Sequence, residues 1–178
     1  GEIEFDQINL VVSAKNEVKI FDNKKEMIIE TDMMIYDRKI NVIQSQSISY
    51  LKDKFQNEFI TEKFIYDIPK NLLKLENAKL KDNKKNNFQL DLAFIDTNLN
   101  RLVGKDVVIN LNNTSFNSGN EPRLKGKSLE FNNDITKINK GVFTTCKKTG
   151  KCPPWQLSAE KITLNKQKKV IDYKNAWL

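Results

Sequence analysis

The sequence predicts an all-β protein, and three observations predict it. Apolar and polar residues alternate with a period of two along most of the chain, no apolar stripe of helical period runs for any length, and Asp or Asn recurs in a turn-like setting about every fifteen residues. Each strand and turn can be placed from these features in chain order.

The first apolar positions at period two are Val18 and Ile20, followed by Met27, Ile29, Met33 and Ile35, and then by Ile40, Val42, Ile48 and Tyr50. In the segment Phe88 to Phe94, the residues Phe88, Leu90, Leu92 and Phe94 fall on one side, with Gln89, Asp91 and Ala93 on the other. That pattern predicts a strand with one buried face. Val107, Ile109 and Leu111 continue it. Between the strands stand Asp22, Asp37, Asp53, Asp67, Asp82, Asp96 and Asn112, at spacings of 15, 16, 14, 15, 14 and 16 residues. Short Asp and Asn side chains hydrogen-bond the local backbone and tolerate unusual dihedrals, so each marks a turn and each pair of intervals a hairpin. Further turns are expected at Asn132 to Asp134 and at Asn165 to Lys168. The Ser, Asn, Gly and Pro content from Asn113 to Gly126 reads as a longer loop. Strands resume after it, so residues 1–178 form one domain. Stacked hairpins that each bury one side give either a filled sandwich or a folded sheet around an elongated apolar interior, and the pattern alone allows both.

Composition narrows the function. The chain has no His, which removes the usual general base and the commonest metal ligand. Carboxylate pairs such as Glu58 with Glu62, or Asp91 with Asp96, have no nucleophile or glycine-rich cradle near them, so no enzymatic activity and no cofactor or metal is expected. The net charge of +7 suggests anionic partners, although Lys and Asn interleaved with Asp and Glu also describe a solvated outer face. Nucleic acid is not an expected partner: Lys predominates over Arg, and the interleaved aromatic platforms of single-strand binders are missing. The longest apolar runs, such as Met33 to Tyr36, fall far short of the roughly 20 residues of a membrane-spanning helix.

The phrase Ile35-Tyr36-Asp37-Arg38-Lys39, its echo Ile65-Tyr66-Asp67, and Asn16-Glu17-Val18-Lys19-Ile20 resemble the OstA-type repeats of lipopolysaccharide transport proteins. A more specific likeness lies near the C-terminus. Phe143-Thr144-Thr145-Cys146, then Cys152-Pro153-Pro154, Trp155 to Ile162 and finally Asn175-Ala176-Trp177-Leu178 are similar to the end of the periplasmic domain in the LptD family of lipopolysaccharide assembly proteins. The resemblance implies a β-jellyroll of stacked antiparallel strands, OstA- or LptA-like, with an apolar interior groove that holds lipid A acyl chains. It implies a periplasmic domain of an outer-membrane protein, receiving lipopolysaccharide from an LptA-like bridge protein by edge-strand addition. An outer-membrane barrel, plugged by an LptE-like lipoprotein, would follow this domain. An LptA- or LptC-like bridge component of the same fold is the alternative, and a basic nucleic-acid-binding β domain, prompted by the charge, is the remote one.

On that reading the groove candidates are Ile29, Met33, Ile35, Val42, Phe88, Leu90, Leu92 and Phe94. Met27 and Met34 are flexible additions to the lining, and Arg38, Lys39 and Arg123 are possible phosphate contacts at its rims. Cys146 matches a cysteine that, in the family, forms a disulfide to the barrel, while Cys152 leaves a local Cys146 to Cys152 bridge open.

Overall fold

The turns form where a short polar side chain takes over backbone N–H groups. The Asp22 carboxylate accepts the amides of Lys24 and Lys25, Asp37 those of Lys39 and Ile40, and Asp96 those of Asn98 and Leu99. Asp53 and Asp82 do the same, and so do Asn132 and Asn165, while Asp67 accepts the single amide of Lys70. After Asp37, Asp67 and Asp96 the chain leaves the turn through Asn41, Asn71 and Asn100, all in the left-handed region that Asn tolerates. Asn112 differs: its amide is bound by the Asn86 side chain, and it opens a longer connection instead of a tight turn.

The structure, a computed structural model, describes residues 1–112, 119–132, 134–147, 155–165, 167–168 and 170–178. Among these residues it is all-β, with fourteen antiparallel strands in one sheet and no helix. The strands are β1 (Glu2–Asp6), β2 (Val11–Asp22), β3 (Met27–Asp37), β4 (Val42–Ser45), β5 (Ser49–Lys52), β6 (Glu58–Thr61) and β7 (Lys63–Asp67). They continue as β8 (Leu72–Lys81), β9 (Asn87–Asp96), β10 (Arg101–Asn110), β11 (Arg123–Phe131), β12 (Ile135–Thr144), β13 (Leu157–Asn165) and β14 (Val170–Trp177). Sheet order follows chain order, with β5 and β6 inserted beside β3 and β8. The chain therefore meanders from an open edge at β1 to another at β14. This is consistent with a jellyroll-like shape.

One line across the sheet folds it. The ladder is interrupted on every strand from β8 to β14, by one position in most pairs and by two between β11 and β12, and the skipped residues Asn77, Asp91, Asp106, Lys127, Lys140, Glu160 and Asn175 lie opposite one another. Asn77, Asp106, Lys140 and Asn175 have φ between 48° and 50°, so alternate strands kink through a left-handed residue at this line. The kink moves the buried positions by one residue. On β8 Leu73 and Leu75 are buried before it and Ala78 and Leu80 after it; on β10 Leu102 precedes it and Val107 and Ile109 follow. Nearer the N-terminus the same line passes through the irregularity at Asn16 and Glu17, the break between β4 and β5, and Glu62. Its side chains are polar and mostly exposed, and they pair along the line: Asn77 donates to Glu62 (2.6 Å), Lys127 to Asp106 (3.2 Å) and Asn175 to Glu160 (2.6 Å).

Each long strand thus crosses from one layer to the other, and successive turns point to opposite layers. The first layer ends in the turns after Asp37, Asp67 and Asp96; the second ends in those after Asp22, Asp53 and Asp82. Apolar side chains fill the space between them. Leu75, Leu129 and Ile162 are fully buried, and the Phe88 ring meets the Phe131 ring edge-on across the layers, with centroids 5.4 Å apart. Burying a Leu, Ile or Phe side chain contributes about 1.5–3 kcal/mol, and this core runs from Met27 to Ile162.

Two sequence expectations are corrected here. The loop expected to reach Gly126 ends at Pro122, because Arg123–Phe131 pairs with both β10 and β12. Gly126 belongs to that strand because a Cβ there would lie 2.1 Å from Cγ2 of Ile138. Through the middle of the interior, where the resemblance implies an apolar groove, side chains such as Leu75, Leu129 and Ile162 fill the space and have no exposed surface.

Candidate functional site

Between the layers, room remains near the β1 edge. There the second-layer halves of β2 and β3 face β4 and β7 of the first layer across a cleft of about 530 Å3. Ile20, Met27, Ile29, Ile43, Tyr66 and Ile68 give it apolar walls, and Lys24 and Lys25 stand at its rim. The walls are apolar because each of these residues occupies an inward position of its strand or turn. The opening exists because β1 pairs only with Val11 to Lys15, leaving the second layer without a further strand beyond Val18 to Asp22.

Two contacts tie the layers together at the mouth. The Tyr66 hydroxyl donates to the Asp22 carboxylate at 2.7 Å, and Lys25 donates to the Asn98 side chain. Burial, together with the Asp22 carboxylate beside it, pushes the Tyr66 phenol up to about 12. Tyr66 therefore remains a neutral donor over the whole physiological range.

The groove candidates separate into two sets. Ile29, Phe88 and Leu90 face inward; Ile29 lines the cleft, while Phe88 and Leu90 belong to the closed core. Met33, Ile35 and Val42 lie on the outer side of the first layer, opposite Lys15, Gln44 and Asp67, and their interior assignment is corrected. Leu92 and Phe94 are likewise outward, opposite Glu76 and Lys74, and Phe94 is 36% exposed. For Met33, Ile35, Leu92 and Phe94 the reason is the kink, which exchanges inner and outer faces between the two halves of a strand; for Val42 it is that Ser45 and Ser49 take inner positions of β4 and β5, so apolar residues mark the outer face there. A continuous alternation drawn through Asp32 or Asp91 therefore assigns the wrong half. Met34, Tyr36, Ala93 and Ile95 occupy the inward places instead.

Of the rim cations, Arg38 stacks over the Phe5 ring at 5.5 Å, and Arg123 donates to the carbonyls of Glu121 and Cys146. Neither lies at the cleft. The Cys146 thiol approaches the Trp155 carbonyl at 3.6 Å, while Cys152 lies outside the described residues, so the proposed local bridge lies outside them too. Sequence reasoning missed Ile43, Tyr66 and Ile68 as a wall. The available signal was Tyr66 itself, a large residue immediately before a turn Asp. Among the described residues no group of three or more His, Cys, Asp or Glu is placed to hold a metal ion. The chain matches no protein-family model and no curated protein sequence.

Proposed function

We propose that the chain is the lipid-handling domain of an LptD-type lipopolysaccharide assembly protein, and that it takes lipid A acyl chains into the cleft between its two layers. The observation that carries the reading is the apolar gap at the β1 edge, framed by a sheet folded on itself and rimmed by Lys24 and Lys25. An acyl chain entering it gains about 0.8 kcal/mol per methylene removed from water. The lysines suit the phosphates of the headgroup, which stay outside in solvent. The open edges of β1 and β14 suit strand addition by an LptA-like bridge protein on one side and continuation into further β structure on the other. A periplasmic location, an outer-membrane barrel and an LptE-like lipoprotein plug belong to the same proposal.

Transit on this reading is not a slide through a preformed tube. The packed centre has to open for lipid to move beyond the cleft, because Leu75, Leu129 and Ile162 have no exposed surface. A photoreactive residue placed singly at Ile43, Ile68, Ile35 or Phe94 of the purified chain tests the reading with lipopolysaccharide. Adducts are expected from Ile43 and Ile68 and not from the outward Ile35 and Phe94. Equal capture from all four positions, or capture from neither cleft position, refutes it.

A further inference from the structure

A second concavity lies not between the layers but on the outer surface of the second layer. It measures about 730 Å3 and spans β3, β5, β6, β8 and β9. Such a volume lies within the range of about 300–1,000 Å3 typical of small-molecule sites. Two cross-strand rows build it. Glu30, Tyr50, Ile60, Lys79 and Gln89 are successive partners in one, and Ile28, Lys52, Glu58, Lys81 and Asn87 in the other. Side chains in such rows share a face: β3, β5 and β6 each place one apolar or aromatic residue and one charged residue on it, and β8 and β9 only polar ones. Ile28, Tyr50 and Ile60 make an apolar floor on β3, β5 and β6, with exposures of 38%, 54% and 41%. Lys79 and Lys81 on β8, backed by Gln89 and Asn87 on β9, make a flank of hydrogen-bond donors.

The charges around this floor are unequally satisfied. Glu30 is paired with Lys19 at 2.8 Å, and Glu58 stands 3.9 Å from Lys52. Among the described residues, no carboxylate lies within 4.0 Å of the ammonium groups of Lys79 and Lys81. They sit two residues apart on one strand, so both reach the same side of the concavity. Lys81 has Glu58 as its cross-strand neighbour, whereas Lys79 stands between Ile60 and Gln89, so the charge left over beside the hollow is positive and lies at one end of an apolar surface.

We infer that this outer concavity binds a single-chain anionic amphiphile, its tail laid over Ile28, Tyr50 and Ile60 and its phosphate or carboxylate held between Lys79 and Lys81. The site shares no strand half with the first-layer wall of the cleft and does not depend on the function proposed above. An apolar floor without the lysines would not select an anion, and the lysines without the floor would hold an ion only weakly in water.

Calorimetric titration of the full chain with dodecyl phosphate and with laurate, both kept monomeric, tests the inference against uncharged dodecyl maltoside. One saturable site is expected, at least about ten-fold tighter for an anion than for the maltoside. Preference for dodecyl phosphate identifies a phosphorylated lipid as the natural class, and preference for laurate a fatty acid. Lys79→Gln with Lys81→Gln should weaken binding about ten-fold. Lys79→Arg with Lys81→Arg should restore it, and Ile60→Gln should weaken both anions. These side chains point outward, so the melting temperature should not move. Absence of saturable binding overturns the site, as does affinity unchanged by the glutamine pair or equal affinity for the maltoside. Binding abolished by Ile43→Glu in the cleft but kept by the glutamine pair overturns it as well, since the ligand would then lie between the layers.

Discussion

Gly126→Ala is the sharpest probe of the folded sheet. Gly126 stands beside Lys127 on the fold line, and an added Cβ would come within 2.1 Å of Cγ2 of Ile138 and 3.2 Å of the Asn139 carbonyl oxygen. Contacts that short do not persist, so something must shift. Ile138 is 1% exposed and β-branched, which leaves its Cγ2 few places to go. Turning it pushes its other branch into the packed core, and moving the backbone strains the fold line. Overpacking of this kind costs about 1–3 kcal/mol, and the stiffer unfolded chain of the alanine variant offsets roughly 0.4–1 kcal/mol. The net expectation is a loss of about 1–2 kcal/mol. In a chain of 178 residues each kcal/mol moves the melting temperature by about 2–4 °C, so thermal and urea unfolding should show a fall of about 2–8 °C. Gly104→Ala is the internal comparison. There the obstacle is Cδ2 of Leu90, at the far end of a more adaptable side chain, so the loss should be smaller. A Gly126→Ala protein as stable as the parent would refute the close approach of β11 and β12 at the fold.

Two further outcomes follow from local geometry. Glu26 has φ 51°, at the turn position where Asn41, Asn71 and Asn100 stand in equivalent turns, so Glu26→Asn should stabilise the protein by about 0.5–1 kcal/mol in urea unfolding. Tyr66→Phe removes the donor to Asp22 and should cost about 1–2 kcal/mol near neutral pH, read from the same unfolding curves. Because the folded phenol titrates at about 12, above its ordinary 10.0, its neutral form is the one that folding favours. That contribution is complete below pH 10 and lost as pH rises to 12, so stability should decline more steeply there in the parent than in Tyr66→Phe.

The turns were legible because their chemistry is local. An Asp or Asn that caps backbone amides needs only the next few residues; Asp22, Asp37, Asp53, Asp82 and Asp96 each cap two, and Asp67 one, where their spacing places them. The fold line was not legible, because its effect is to break a pattern that looks unbroken. Around Asp91 both faces of β9 are apolar: Phe88 and Leu90 point inward before it, Ala93 and Ile95 after it, and Leu92 and Phe94 supply an alternation that continues falsely. The only trace in the sequence is a polar residue between two apolar stretches, as at Asn77 and Asp106, and its meaning requires knowing that neighbouring strands carry the same interruption at the same height. Five of the eight groove candidates turned outward: Met33, Ile35, Leu92 and Phe94 because of the fold line, and Val42 because Ser45 and Ser49 occupy inner positions of β4 and β5 and leave the outer face the more apolar one.

The packed centre sets a condition on any lipid function. Moving an acyl chain from water into the cleft is favourable, but pushing it further exchanges one apolar environment for another and gains little hydrophobic free energy. Meanwhile it would separate side chains already in contact, including Phe88 and Phe131, and forfeit dispersion that close packing supplies. On the proposed reading the cleft is therefore where an acyl chain would stop, and passage beyond it would need work from outside the domain or a parting of the layers that begins at an open edge. The β1 edge suits such a parting. It is where the layers are tied by little more than Asp22 to Tyr66 and Lys25 to Asn98, and where the half of β2 from Val18 to Asp22 has no strand beyond it.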